Sequence, residues 1–150
     1  MDPTTSVDRV VIRSVEPSDA DAVARLSGEL GYPVAVERMA QRLASIAAMP
    51  DHAVFVAETA GEVLGWIHVS AVAHLQSEPR AEIGGLVITG TARGQRIGAR
   101  LVARAEAWAR EHGFASILVR SQIARDDAHR FYLREGYERT KTSAVFTKTL

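Results

Sequence analysis

A chain of 150 residues with 47% hydrophobic and 24% charged residues has the length and composition to bury one core, which excludes intrinsic disorder and fibrous repeats. Lysine plus arginine number 18 and aspartate plus glutamate 18, a formal charge of zero, so wholesale attraction to nucleic acid or an anionic membrane is not expected. Cysteine is absent, which excludes disulfides, thiolate metal sites and a covalent acyl-cysteine intermediate.

Met1 to Arg9 has no apolar core behind a positive region, and no apolar run of about 18 residues follows, so the expectation is a cytoplasmic protein with no membrane partner. Val10, Val11 and Ile12 form a β-branched run ending at Glu16-Pro17-Ser18, where Ser18 and Asp21 have capping-box spacing. Ala20, Val23, Ala24 and Leu26 then predict a helix from Asp19 to Gly31, with Pro33 just beyond it. A second helix fits Glu37 to Ala48 and stops at Pro50. His52 to Glu58 reads as a strand, Ala60-Gly61 as a turn, and Val63 to Ala73 as the hairpin partner.

Glu82 to Thr89 is strand-like, Gly90 to Gly98 carries turn chemistry, and Ile97, Leu101, Ala105 and Trp108 recur at helical spacing up to Gly113. Ile117 to Val119 is a further short strand, and Asp126 to Glu135 a helix closed by Gly136. Tyr137 to Lys148 reads as two last strands around Lys141-Thr142. Hairpins mixed with strand-helix-strand crossovers imply one α/β domain over residues 1–150, a mixed sheet with helices on its faces.

The segment from Leu86 to Gly98 joins a buried strand to an amphipathic helix. Its turn and the unpaired N–H groups opening the helix suit an anion, and glycines let a phosphate approach. It lacks the Gly-Lys-Ser/Thr of a nucleoside triphosphate loop and the three-glycine spacing of a dinucleotide fingerprint. An ordinary strand-to-helix turn is the plainer alternative. Charge favours the anion site. Between Thr91 and Arg130 stand Arg93, Arg96, Arg100, Arg104, Arg110, Arg120, Arg125 and Arg130 against Glu106, Glu111, Asp126 and Asp127, a surplus of four positive charges.

Leu86-x-Ile88 followed by Arg93-Gly94-x-x-x-Gly98 and Leu101 resembles the acyl-CoA motif of the GNAT superfamily of N-acetyltransferases. Ala128-x-x-Phe131-Tyr132-x-x-x-Gly136-Tyr137 resembles that superfamily's later helix-to-strand motif, in the right order along nearly the whole chain. The resemblance implies a mixed, mostly antiparallel sheet, splayed centrally between the strand at Glu82 to Ile88 and that at Ile117 to Val119, with coenzyme A in the gap. The pantetheine arm would pair with main-chain groups of Leu86 and Ile88, and the pyrophosphate would sit on the N–H groups of Gln95, Arg96, Ile97, Gly98 and Ala99. A main-chain N–H near Val87 would meet the oxyanion. Gly84-Gly85 suits a bulge or a tight packing spot.

Arg93, Gly94, Arg125 and Ala128 complete the coenzyme set that the two motifs imply. Three positions depart from the usual pattern: Gly90 for a proline, Arg96 for a glycine and Arg125 for an asparagine. Arg96 is expected at an ordinary negative φ, with its N–H toward the pyrophosphate and its side chain outside or on a coenzyme phosphate.

An alkyl amine with a pKa near about 10 needs a proton acceptor before attack on a thioester. The resemblance gives that role to Glu82, directly or through water; a strand-edge ion pair with an arginine is the alternative. It gives Tyr132 the role of proton donor to the departing thiolate, a packed aromatic being the alternative. His68, Ser70 and His74 share one face of the hairpin strand with Trp66, either an acceptor pocket or a solvated face, and no metal is expected there because neither the spacing nor a carboxylate accompanies them. Glu29 and Tyr32 lie where the early helices would wall the acceptor side.

These features imply an acetyl-CoA-dependent N-acetyltransferase acting by direct transfer in a ternary complex. A small-molecule amine is favoured as acceptor, because no appended domain for protein recognition is visible. A peptide or protein acceptor, or a non-catalytic acyl-CoA-binding regulatory module, are the alternatives. A nucleic-acid partner rests on the arginine patch alone and is not expected. The segment Tyr137 to Lys148 offers an edge for a homodimer, or one covered within the monomer.

Overall fold

The computed structural model describes residues 9–92 and 96–150. The chain forms two compact units that divide between Val119 and Arg120. In the first, β1 (Val11–Ser14), β2 (His52–Thr59), β3 (Glu62–His74), β4 (Ser77–Ile88) and β5 (Ile117–Val119) make one sheet in the order β1-β2-β3-β4-β5. Every pairing is antiparallel except that of β4 with β5. Helices α1 (Ala20–Glu29) and α2 (Val36–Ala47) follow β1, and α3 (Ile97–Glu111) joins β4 to β5. This is the mixed α/β fold that the sequence implies, with helices on both faces of the sheet.

Sequence periodicity explains the two layers. On one face Val54, Val56 and Val87 close a core with Val23, Leu26, Met39 and Leu43 of α1 and α2, and Trp66 packs against it. The opposite face carries Phe55, Ile67, Val69, Ala81 and Ile83, and α3 covers it with Ile97, Leu101, Val102, Ala105 and Trp108, all buried. Each fully buried large side chain of these layers is worth about 1.5–3 kcal/mol in transfer free energy.

The β2–β3 hairpin turns through Ala60 at φ 50° and Gly61 at φ 80°, the two positive angles that a right-twisted two-residue hairpin demands. Gly31, Gly113 and Gly136 also have positive φ, just past helix ends.

Three expectations are corrected here. β4 starts at Ser77, not Glu82. Its first residues, Ser77-Glu78-Pro79-Arg80, hide the strand because they are exposed or half-buried, and a register irregularity between Val72 and His74 accommodates Pro79, which has no N–H to give. The Asp19 carboxylate, not that of Asp21, reaches back, accepting the Glu16 N–H at 2.7 Å, so the chain enters α1 through a short 3-10 turn, Pro17–Asp19.

The third concerns the second unit. It holds α4 (Asp126–Arg134), and residues 137–150 contain no strand. Val145 is 84% and Phe146 92% exposed; alternation alone does not hold a two-stranded ribbon whose apolar side chains stay in water. No strand edge for self-association exists in that segment. Among the described residues, no helix is long and apolar enough to cross a membrane.

Candidate active site

β4 changes character at its middle. Up to Ile83 it pairs with β5, Ala81 opposite Ile117 and Ile83 opposite Val119; beyond Ile83 the β5 pairing stops, and among the described residues no other strand takes its place. β5 ends at Val119, so the β4 edge beyond Ile83 is open on that side among the described residues, where the sequence implies a gap. On the other side β4 stays paired with β3 through Ile88.

The register slips between His68 and Val69, so that Gly84 and Gly85 both fall opposite His68. This is a β-bulge. A Cβ on Gly85 would stand 2.8 Å from the Trp66 ring and one on Gly84 3.3 Å from His68 Nδ1, so the first position has no room for a side chain and the second little. The expected bulge and the close packing are both present.

The bulge sets which main-chain groups face the open edge. The Thr89 N–H donates to the Leu64 carbonyl at 2.8 Å, and with Trp66 opposite Val87 the alternation of an antiparallel ladder puts Val87 main-chain groups toward β3. Leu86 and Ile88 therefore turn their N–H and C=O away from β3, to the side β5 has left. The Val87 N–H belongs to the ladder, so of the main-chain groups near Val87 those of Leu86 and Ile88 face the opening; the extra residue of the bulge sets this parity.

After Ile88 a 3-10 turn, Gly90–Ala92, leads toward α3, whose opening N–H groups on Ile97, Gly98 and Ala99 have no acceptor within the helix. Arg93, Gly94 and Gln95, expected to cradle phosphate, lie outside the described residues. Arg96, next to the helix, has φ 61° and ψ 18°, which overturns the expected negative φ. The chain needs a left-handed residue to enter α3, the conformation glycine adopts most readily, and here an exposed arginine takes it.

Glu29, expected on the acceptor side, ends α1 with its carboxylate accepting from Thr89 Oγ1 at 3.2 Å and from the Gly90 N–H at 3.3 Å, with Arg25 at 3.7 Å. Here the glycine that replaces a common proline has a use, because proline would have no N–H to offer. Tyr32 is 57% exposed, just past Gly31.

On the α1/α2 face, His52, Ser70 and Glu82 form one row across three strands, each opposite the next. His68 stands in the adjoining row, its Nε2 2.9 Å from His52 Nδ1, with the rings stacked at 5.2 Å. One imidazole must donate and the other accept. Burial, and then His52, hold the His68 pKa below its ordinary value. The sequence placed His68 and Ser70 on this face, but it gave His52 no role, because its partner lies in another strand.

In the second unit Tyr132 stands edge-on to Phe131 and to Tyr137, at 5.2 and 5.8 Å. Burial raises its phenol pKa and Arg125 pulls the other way. Arg125 precedes α4, with its N–H on the Gln122 carbonyl at 3.0 Å, and Ala128 is half-buried in the helix. Not every cation of the arginine surplus is free for an anion. Arg104 lies 4.3 Å over the Phe55 ring and 3.5 Å from Glu111.

The order of elements, with an open β4 edge leading to a helix start, is that of the GNAT fold, and the family model "Acetyltransferase (GNAT) family" matches residues 21–137. The chain belongs to that family. It is 44% identical over 91 residues, 60% of this chain and 58% of the relative, to an aminoalkylphosphonate N-acetyltransferase of Salmonella typhimurium. The match thus spans under two thirds of that relative's length. Among solved structures, a protein described as a transcriptional regulator from Bacillus halodurans C-125 is 27% identical with a TM-score of 0.82, covering 93% of this chain and 99% of that one. The aminoglycoside N-acetyltransferase AAC(6')-Iy in complex with CoA has a TM-score of 0.84 at 16% identity, covering 94% and 95%.

Proposed function

We propose that this chain moves an acetyl group from acetyl-CoA directly to the primary amine of a small molecule. The observation that carries the reading is the edge of β4 beyond Ile83. Leu86 and Ile88 present a donor and an acceptor each to an extended ligand rich in amides, which can add as a strand, and α3 begins where an attached phosphate would need N–H groups. Coenzyme A has both parts, and a chain of the same fold is solved with it. Its thioester supplies the activated acetyl group.

Glu82 takes the proton of the acceptor amine, whose nitrogen forms a bond to the acetyl carbon as the carbon–sulfur bond breaks. By the family motif, the Tyr132 phenol gives the departing thiolate its proton; its raised pKa keeps it protonated at neutral pH. The absence of cysteine from the chain supports direct transfer within a ternary complex. The sequence relative acts on an aminoalkylphosphonate, which supports a small-molecule acceptor over a peptide or protein.

A second reading, a non-catalytic acyl-CoA-binding regulator, is favoured by the likeness to the Bacillus halodurans protein. Titrating acetyl-CoA against the melting temperature and then assaying free thiol on an amine panel separates the two. A shift with turnover on an amine is the expected result; a shift without turnover on any amine supports the regulator, and no shift overturns both.

A further inference from the structure

The acceptor side of β4 holds a cation that the transfer chemistry does not use. Arg80 lies two residues before Glu82 on the same face of the strand, opposite Val72, while Glu82 lies opposite Ser70. Two residues of antiparallel strand put the bases of the two side chains about 7 Å apart. Arg80 is half-buried, and its Nε is buried with no hydrogen-bond partner among the described residues. Arg13 is answered by Asp19 and Glu58 and Arg25 by Glu29, while Arg104 Nη1, also without a hydrogen bond, stands 3.5 Å from the Glu111 carboxylate. A charged group held half-buried with one N–H unanswered is costly, and an acidic ligand at its exposed part offsets that cost.

We propose that the acceptor is an amine carrying an acid group, a carboxylate or a phosphonate, two or three atoms from its nitrogen, and that Arg80 holds that acid. The proposal rests on the acetyl-transfer reading and gives it a substrate class. A guanidinium offers parallel N–H donors that match two oxygens of a carboxylate or phosphonate. With the acid on Arg80, an amine two or three atoms away comes over Glu82, the group that takes its proton. Burial and then His52 hold the His68 pKa below its ordinary value, so the guanidinium of Arg80, two rows along β3 from His68, is the charge an acceptor meets beside Glu82. A polycationic amine would set like charge against it, which disfavours such acceptors.

The test is thiol release by the full chain with acetyl-CoA and four amines: β-alanine, 2-aminoethylphosphonate, propylamine and the aminoglycoside kanamycin. The expected result is a kcat/KM for one or both acidic amines about 30-fold or more above that for propylamine or kanamycin, the scale of a lost charge-assisted hydrogen bond. The two acidic arms tell carboxylate from phosphonate. Arg80→Gln should collapse that preference toward one, chiefly through KM, while still shifting its melting temperature with acetyl-CoA, and Arg80→Lys should keep part of it. Equal rates on acidic and neutral amines, a preference for kanamycin, or a preference that survives in Arg80→Gln overturns the proposal and leaves acetyl transfer standing. Turnover on none of the four overturns it together with that reading for this panel.

Discussion

At Arg96 a backbone angle and a side chain disagree. A non-glycine residue at positive φ costs about 1–2 kcal/mol, and glycine returns about 0.5–1 kcal/mol of that through the greater freedom of the unfolded chain. Arg96→Gly should therefore stabilise the fold by about 0.5–1 kcal/mol, raising the melting temperature in a thermal scan by about 2 °C. Glu82 carries the functional prediction at this scale. A positioned general base contributes about 100-fold or more to turnover, so Glu82→Gln should lower kcat about 100-fold with the acetyl-CoA-induced thermal shift intact. An unchanged kcat and pH-rate profile would remove Glu82 from the chemistry. Both positions are named by the sequence, Glu82 by its strand and Arg96 by its departure from a glycine. Arg80 is not, because an arginine at the start of a strand looks like a solvated charge until its burial and the missing partner are seen.

At the scale of elements, the junction of β1, β2 and α1 is tied by one arginine. Arg13 of β1 offers two nitrogens to Asp19, at 2.8 and 2.9 Å, and its Nε to Glu58 of β2. Asp19 is buried and also takes the Glu16 N–H. Removing one charge from such a pair leaves the other poorly compensated; because Arg13 is partly exposed, a value below the fully buried range applies. Asp19→Asn should cost about 2 kcal/mol, read as a fall of about 5 °C in melting temperature. Elements whose signal is local were legible: both early helices from their apolar spacing, the Ala60-Gly61 hairpin from its turn, α3 from Ile97, Leu101, Ala105 and Trp108. The beginning of β4 was not, since its pairing with β3 runs through Ser77 and Arg80 and skips Glu78 and Pro79, which breaks the alternation. Nor was the absence of strands after Tyr137, because alternation records what a segment is able to bury and not whether it finds a surface.

For the whole molecule, pH enters through the imidazole pair. The folded pKa of His68 lies below the ordinary unfolded value of about 6.5, so the unfolded chain binds more protons in that range. Stability contributed by the neutral ring is present above pH 6.5 and is lost as pH falls below it toward the folded value. The melting temperature should drop between pH 7.5 and 5.5, and His68→Gln should flatten that part of the profile; an identical slope in the variant would place the effect elsewhere. Net charge taught the opposite lesson about scale. Its zero total hides a surplus of arginines after Thr91, and the structure divides that surplus again, sending Arg104 to Phe55 and Glu111.

The bulge at Gly84-Gly85 acts as a change of grammar within one strand. Before it, β4 addresses the α1/α2 face through side chains, Arg80 and Glu82. After it, the strand addresses its open edge through peptide groups, those of Leu86 and Ile88. A strand without the extra residue would repeat a two-residue period from end to end, turning Leu86 from the α3 face to the α1/α2 face and aiming the peptide groups of Val87 at the opening. Deleting one glycine would thus exchange the roles of every later residue in β4 while leaving its composition almost untouched. Two vocabularies, one of ionisable groups for an acceptor and one of amides for a donor, share a single continuous chain because a residue stands between them that is counted but not paired.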